Sequence, residues 1–290
     1  MKYLLALFLL SPFTICAQST HSFTNQIDSI FQSAFKPAQP GGAVLVVKYN
    51  KVVYSKGFGL ADIKTKEAIT AKTLFNLGSI SKTFVAYGIL RLASENKLSI
   101  DDDLFKYFPD FKNSAIAKKV KIFHLLTHSS GLPDNRQVRK DSVFYLTARD
   151  EENFAPLKQT EKLNFEPGTR FEYSNPAFNA LALIIEKVSG KVWQQYLAEI
   201  IFKPSGMENS TITNGPHPQT GVSHGYILNG NNEFIEMDYG EEPTFAASGN
   251  GGVWSSVEEL WKYEQAIQQY KFLDSQWINK SRSVYFLPDW

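Results

Sequence analysis

The chain of 290 residues carries 30 basic and 29 acidic side chains, a formal charge of +1, with 43% hydrophobic residues and one cysteine, Cys16. This balance gives no electrostatic reason to expect nucleic acid or an acidic membrane surface as partner, and one cysteine excludes an internal disulfide framework and cysteine-ligated zinc. Length and apolar content suffice for a full core, in one large domain or two closely packed ones.

Lys2 is followed by an apolar run from Tyr3 to Phe13 and then by Thr14-Ile15-Cys16-Ala17-Gln18. That is the basic, apolar and small-residue order of a secretory signal peptide, and the run is too short to span a bilayer comfortably. We therefore expect a leader over residues 1–17, cleaved after Ala17, no integral membrane span, and a secreted or periplasmic product. The rival, lipid attachment at Cys16, needs a small residue where Ile15 stands. Cleavage removes Lys2, leaving 29 basic against 29 acidic residues, and leaves no cysteine.

Phe23, Ile27, Ile30, Phe31 and Phe35 recur at helical spacing and predict an amphipathic first helix. Residues 42–47 and 52–57 read as two strands joined by a tight turn at Asn50-Lys51. Helical periodicity runs from 82 to 96, and 121–127 reads as a short helix ended by Gly131. Pro176 suits the first turn of a helix after Asn175, and Gly190 suits its end. Another helix is expected from Val192 to about Phe202, ahead of Pro204. Turn signals at Asn229-Gly230 and Tyr239-Gly240 divide 221–245 into strands or extended loops. Ser256 with Glu259 three residues on predicts a capping box opening the last helix. No internal repeat or low-complexity stretch interrupts this order.

The segment Leu74-Phe75-Asn76-Leu77-Gly78-Ser79-Ile80-Ser81-Lys82-Thr83-Phe84 holds the strongest chemical signal. Ser79 and Lys82 stand three apart at a helix start, so they share a face one turn apart. A serine hydroxyl needs a base beside it, and a lysine serves as one where burial or a neighbouring cation lowers its pKa. The helix N-terminus adds backbone N–H groups suited to an oxyanion. Alone, such a pair is common by chance. Two further segments accompany it: His124-Leu125-Leu126-Thr127-His128-Ser129-Ser130-Gly131-Leu132-Pro133, and Phe165-Glu166-Pro167-Gly168-Thr169-Arg170-Phe171-Glu172-Tyr173-Ser174-Asn175-Pro176.

Together these resemble the serine β-lactamase and penicillin-binding-protein superfamily, in its class C β-lactamase-like branch, from about Gly41 to Leu260. Ser79-x-x-Lys82 matches the first signature of that superfamily, Tyr173-Ser174-Asn175 the second signature of the branch, and 124–133 its most recognisable non-catalytic stretch. The resemblance implies an α/β (α+β) fold: an antiparallel sheet flanked by helices, packed against an all-helical insertion, with the site in the groove between them. On this basis 18–75 is the first part of the α/β domain, 76–208 is mostly helical and carries both signatures, and 209–290 returns toward the α/β domain. It further implies that Ser79 is the acylated nucleophile, with Lys82 and Tyr173 sharing its proton. A phenol takes that part only where a cation stabilises its anion. Asn175 would bond the substrate's amide carbonyl and help hold Lys82, and the Ser79 backbone N–H would form half of an oxyanion hole. The substrate would be a β-lactam, a peptidoglycan peptide ending in D-alanyl-D-alanine, or a small ester. No cofactor, metal or nucleic acid is called for, and oligomeric state is left open.

Other patterns are weaker. His124 and His128 have the spacing of half a zinc site, but Leu125 stands where H-E-x-x-H requires glutamate. Gly221-Val222-Ser223-His224-Gly225 matches the G-x-S-x-G elbow yet runs into Tyr226-Ile227-Leu228 and a turn, not a helix. Gly249-Asn250-Gly251-Gly252 lacks the P-loop lysine and reads as a packed turn. Gln219-Thr220-Gly221 imitates the third family motif too early and without its cation. That motif, [KH]-[TSA]-G or H-x-G, belongs on a late strand and is not found before Trp290, so the final strands and closing helix are expected to be absent from this sequence. The alternative expectation is thus a catalytically impaired or truncated protein that binds cell-wall peptides or a protein partner.

Overall fold

A computed structural model of the chain describes residues 15–136, 144, 147–213, 220–236 and 248–288. Residues 1–14 of the expected leader, the Tyr239-Gly240 turn and Gln219 lie outside them.

The expected first helix is α1 (Ile15–Ala34), and its apolar stripe covers a hairpin of β1 (Gly42–Lys48) and β2 (Lys51–Phe58). Ile27, Phe31 and Phe35 pack with Tyr54 and Phe58, and the Phe31 and Phe58 rings stack at 5.5 Å. Asp28 on α1 accepts from the Tyr54 hydroxyl and from Lys56 Nζ, tying helix to hairpin. The turn is Tyr49-Asn50, one residue earlier than expected, with Lys48 opposite Lys51. Both turn residues have positive φ, 50° and 61°, the left-handed pair that matches a two-residue turn to the twist of its strands. Among the described residues β1 pairs with β2 alone.

Two short strands, β3 (Leu60–Asp62) and β4 (Glu67–Ala68), lead to β5 (Phe75–Asn76), a 3-10 turn (Gly78–Ile80) and the central helix α2 (Ser81–Ser94). Then come α3 (Leu104–Tyr107), α4 (Ser114–Lys119) and α5 (Ile122–Leu126). Helix α5 stops ahead of the expected Gly131 because His128 takes the left-handed conformation, φ 54°, and Ser129 N–H returns to the His124 carbonyl at 2.8 Å.

Helix α6 (Asp150–Lys158) is followed by α7 (Asn175–Ser189), which ends at a left-handed Gly190 as expected. Its N-cap is Ser174, not Asn175. The Ser174 hydroxyl accepts from Ala177 N–H at 3.3 Å, so Asn175 and Pro176 fall inside the first turn. Helix α8 (Trp193–Leu197) does not stop before Pro204. It runs on without a break through a π turn (Ala198–Phe202), in which the Lys203 N–H bonds the Ala198 carbonyl, into a last turn α9 (Lys203–Ser205), so Pro204 stands inside the continuing helix.

The remaining strands are β6 (Thr211–Ile212), the hairpin β7 (Tyr226–Leu228) with β8 (Phe234–Glu236), and β9 (Val253–Ser255), which pairs antiparallel with both β5 and β6. Helices α10 (Val257–Gln268) and α11 (Ser275–Ser281) follow, so the helix opened by Ser256 is not the last. Only half of its capping box forms. Ser256 Oγ accepts from Glu259 N–H, whereas the buried Glu259 carboxylate turns away to accept from Asn209 N–H and Ser210 Oγ.

One large core joins α2, α7, α8, α10 and α11. The segment expected to return to the α/β part therefore also supplies Tyr263, Phe272 and Ile278 to the helical core. Gly88 on α2 allows close approach here: a Cβ there would lie 2.6 Å from a Leu197 methyl and 2.9 Å from an Ile185 methyl, which would have to shift. Phe84 is fully buried, stacks on Tyr263 at 4.2 Å and meets the edge of Phe202 at 5.5 Å. No helix among the described residues is long and apolar enough to cross a membrane. Because Phe84 joins α2 to α10, Phe84→Ala should destabilise the fold by about 3–5 kcal/mol, the usual cost of such a cavity, read as a lower denaturant midpoint. A loss below about 1 kcal/mol would contradict this account of the core.

Candidate active site

Backbone bonding between the 3-10 turn and β9 sets the site. Gly78 N–H bonds Asn76 Oδ1 at 2.9 Å, Leu77 N–H bonds the Val253 carbonyl at 2.9 Å, and Val253 N–H returns to Ser81 Oγ at 3.1 Å. The start of α2 is thereby fastened to the sheet. Ser79 lies exposed on the turn, and Lys82, one turn on, is only 6% exposed. Ser79 N–H stands in the first turn, where N–H groups have no intrahelical acceptor.

Lys82 Nζ donates to Ser79 Oγ at 3.1 Å and to the Asn250 carbonyl at 2.8 Å. Tyr173, from the extended segment before α7, donates its hydroxyl to the same Ser79 oxygen at 2.8 Å. Two donors fill the two lone pairs of that oxygen, which leaves its own proton the one remaining tetrahedral direction. Lys82 also lies over the Tyr173 and Phe178 rings, at 5.1 Å and 5.8 Å. Burial pushes its pKa below the usual lysine range; the Tyr173 hydroxyl opposes that shift and the charge of Arg136 adds to it. The neutral amine is therefore within easier reach than on a surface lysine.

The structure thus gathers Ser79, Lys82 and Tyr173 around one oxygen. Asn175 sits half-buried at the start of α7 and makes no hydrogen bond to Lys82. The expected hold on the amine comes instead from the Asn250 carbonyl. Sequence reasoning missed that contact because any residue type supplies a carbonyl. The 249–252 run is a tight turn as expected, closed by Gly251 N–H on the Ser248 carbonyl at 2.8 Å.

His128 is the second residue that sequence reasoning left without a place in the site. Its ring lies 4.5 Å from Tyr173 and 5.1 Å from Phe178, and Nδ1 accepts from Ser174 N–H at 3.1 Å. The 124–133 segment docks along the Tyr173 segment through Glu172 N–H on the His128 carbonyl and Gly168 N–H on the Ser129 carbonyl. The signal was the tyrosine motif itself, which needs a wall behind its phenol. Burial, with the Lys82 charge, lowers the His128 pKa to about 4, so the ring is a neutral platform. His124 Nδ1 is likewise engaged, by Lys121 N–H. Ser223 lies in an extended segment bonded to Leu74 and leading into β7, without the strand-to-helix geometry of a nucleophile elbow.

A serine presented at the junction of a small antiparallel sheet and a helical core marks the chain as a β-lactamase/transpeptidase-like α/β protein. The Beta-lactamase family model matches residues 27–284, and the chain belongs to that family. Penicillin-binding protein 4* of Bacillus subtilis is 29% identical over 265 residues, covering 85% of this chain and 56% of that protein. Protein flp of Staphylococcus aureus is 30% identical over 219 residues, covering 74% and 44%. The octameric penicillin-binding protein homologue from Pyrococcus abyssi superposes with a TM-score of 0.77 at 28% identity, over 94% of this chain and 61% of that one. The chain spans about half the length of the curated relatives it matches.

A neutral His128 has a measurable consequence. Its folded pKa, about 4, is below the 6.5 of an ordinary histidine, so the unfolded chain binds the proton first and stability is lost as pH falls from 6.5 toward 4. An imidazole NMR titration should show His128 uncharged from pH 8 down to about 5; a midpoint above about 6 would contradict its buried placement.

Proposed function

We propose that the protein is a secreted serine hydrolase in which an amide or ester substrate acylates Ser79 and water then releases the acyl group. The observation that carries this reading is the double donation of Lys82 and Tyr173 to Ser79 Oγ. When one of that pair is deprotonated, it accepts the serine proton as Oγ attacks the carbonyl carbon. The oxyanion that forms draws on the Ser79 N–H, and the pair returns the proton to the departing amine or alcohol. In the second half, water attacks the acyl ester, giving its proton to the same pair, and Ser79 leaves protonated. We assign the acid–base role to Lys82 and Tyr173 jointly. Asn175, which does not bond Lys82, is assigned to the amide carbonyl of the substrate.

β-Lactams, D-alanyl-D-alanine peptides and small esters are the proposed substrate class, supported by family membership and by relatives named as penicillin-binding proteins. The basic and apolar N-terminal segment supports export to the periplasm or the medium.

A fluorescent penicillin or a serine-directed phosphonate should label the wild-type protein covalently at Ser79. Labelling that persists unchanged in Ser79→Ala would remove the assignment. Lys82→Ala and Tyr173→Phe should each slow acylation by about a hundred-fold or more, the scale of a positioned acid–base group. Because the two share one oxygen, the double variant should lose far less than the product of the single losses. Strict additivity, measured by stopped-flow acylation, would mean that they act independently.

A further inference from the structure

Behind the site lies a buried carboxylate that the proposed chemistry does not use. Asp150, in the first turn of α6, is 5% exposed. Its Oδ1 accepts from Gly249 N–H at 2.7 Å and from Asn179 Nδ2, on α7, at 2.8 Å. Gly249 precedes Asn250, whose carbonyl takes the Lys82 amine. Ser248 Oγ bonds Asn250 Oδ1 at 2.6 Å, which completes a rigid turn over 248–251. The start of α2 grips one side of this turn through Lys82, and grips the adjoining strand through Ser81 and Leu77. Asp150 grips the other. We propose that Asp150 is a positioning residue for Lys82: through the 248–251 turn it fixes the Asn250 carbonyl and thereby governs acylation of Ser79.

Two physical observations favour this over a merely architectural part. Gly249 lies directly on α7, where an added Cβ would come within 2.3 Å of the Phe178 carbonyl oxygen and 2.7 Å of Ala182. Its buried N–H has Asp150 as its acceptor, and a buried N–H left unpaired is costly. Second, burying a carboxylate without a cation is expensive, and a neutral residue would satisfy the packing at less cost. The groups that face Asp150 are Asn179 from α7, the Gly249 N–H, Trp193 from α8 and, on its own helix, Glu151, which has the same sign.

Burial raises the Asp150 pKa to about 7, against the opposing bonds of Gly249, Asn179 and Trp193 and with the charge of Glu151 adding to the rise. Above that pH the carboxylate is a strong charged acceptor for Gly249 N–H. Below it the protonated acid accepts more weakly and the turn loosens. Acylation should therefore rise with pH through about 7 for a reason separate from Lys82, which faces Tyr173, His128 and Arg136 instead.

The proposal rests on Ser79 being acylated, so the experiment reads both acylation and the amine. In the full chain, acylation by a fluorescent penicillin is followed from pH 5 to 9 in wild type, Asp150→Ala and Asp150→Asn. The Lys82 side chain is titrated in parallel by NMR, with its resonance assigned through Lys82→Arg. Asp150→Ala should lose about ten- to a hundred-fold in acylation at high pH, the scale of a displaced catalytic group. Asp150→Asn keeps a neutral Oδ1 acceptor, as the protonated acid does, so it should hold acylation near the wild-type low-pH level at every pH and above Asp150→Ala, while the limb near pH 7 vanishes from both profiles. If Asp150→Ala folds poorly by thermal melting, the missing limb in Asp150→Asn decides. A limb that survives in Asp150→Asn, or an Asp150→Ala protein with wild-type rate and Lys82 titration, would overturn the proposal. If the wild type is never acylated the functional reading falls, and the Lys82 titration alone then decides the part of Asp150.

Discussion

The burial of the Lys82 amine is the constraint on which the rest of the site depends. A lysine drawn to 6% exposure has to find acceptors or give up its charge. Here it finds one carbonyl, one hydroxyl and two aromatic faces, and among the described residues no carboxylate forms an ion pair with it. A paired carboxylate would stabilise the ammonium and work against any use of the amine as a base. A carbonyl and two ring faces give enough polarity to permit burial without locking the proton in place.

That constraint explains the geometry around it. The carbonyl comes from Asn250, 168 residues along the chain, so the amine can be held only when β9 is already fastened to the start of α2. The same fastening leaves Ser79 on an exposed turn while Lys82 is buried. Tyr173 approaches from the open side and is itself backed by the neutral His128 ring. A charged imidazole there would lie beside Lys82, and burial together with that cation is what keeps it neutral.

The parts of the fold that were legible in the sequence are those governed by local rules. The stripe of α1, the hairpin and the Gly190 end of α7 follow from side-chain period and from one residue's left-handed freedom. The differences arise where a distant partner overrode a local preference. Glu259 abandons its capping box because Asn209 and Ser210 offer buried donors. Helix α8 runs on past Pro204 through a π turn whose Phe202 packs into the aromatic core against Phe84. Ser174, one residue before Asn175, wins the cap of α7, and with it Asn175 leaves the lysine to another segment.

The candidate site divides along the same line. Helical period put Ser79 and Lys82 on one face, but it was the resemblance of three motifs to a known family that singled out the serine, the lysine and Tyr173, because those motifs are written in the sequence itself. What holds those groups was decided by tertiary structure alone: the Asn250 carbonyl, the His128 platform and the Asp150 carboxylate behind the turn. Carbonyls and N–H groups are common to every residue, so no pattern of side chains reveals which of them a fold will bring to a buried charge.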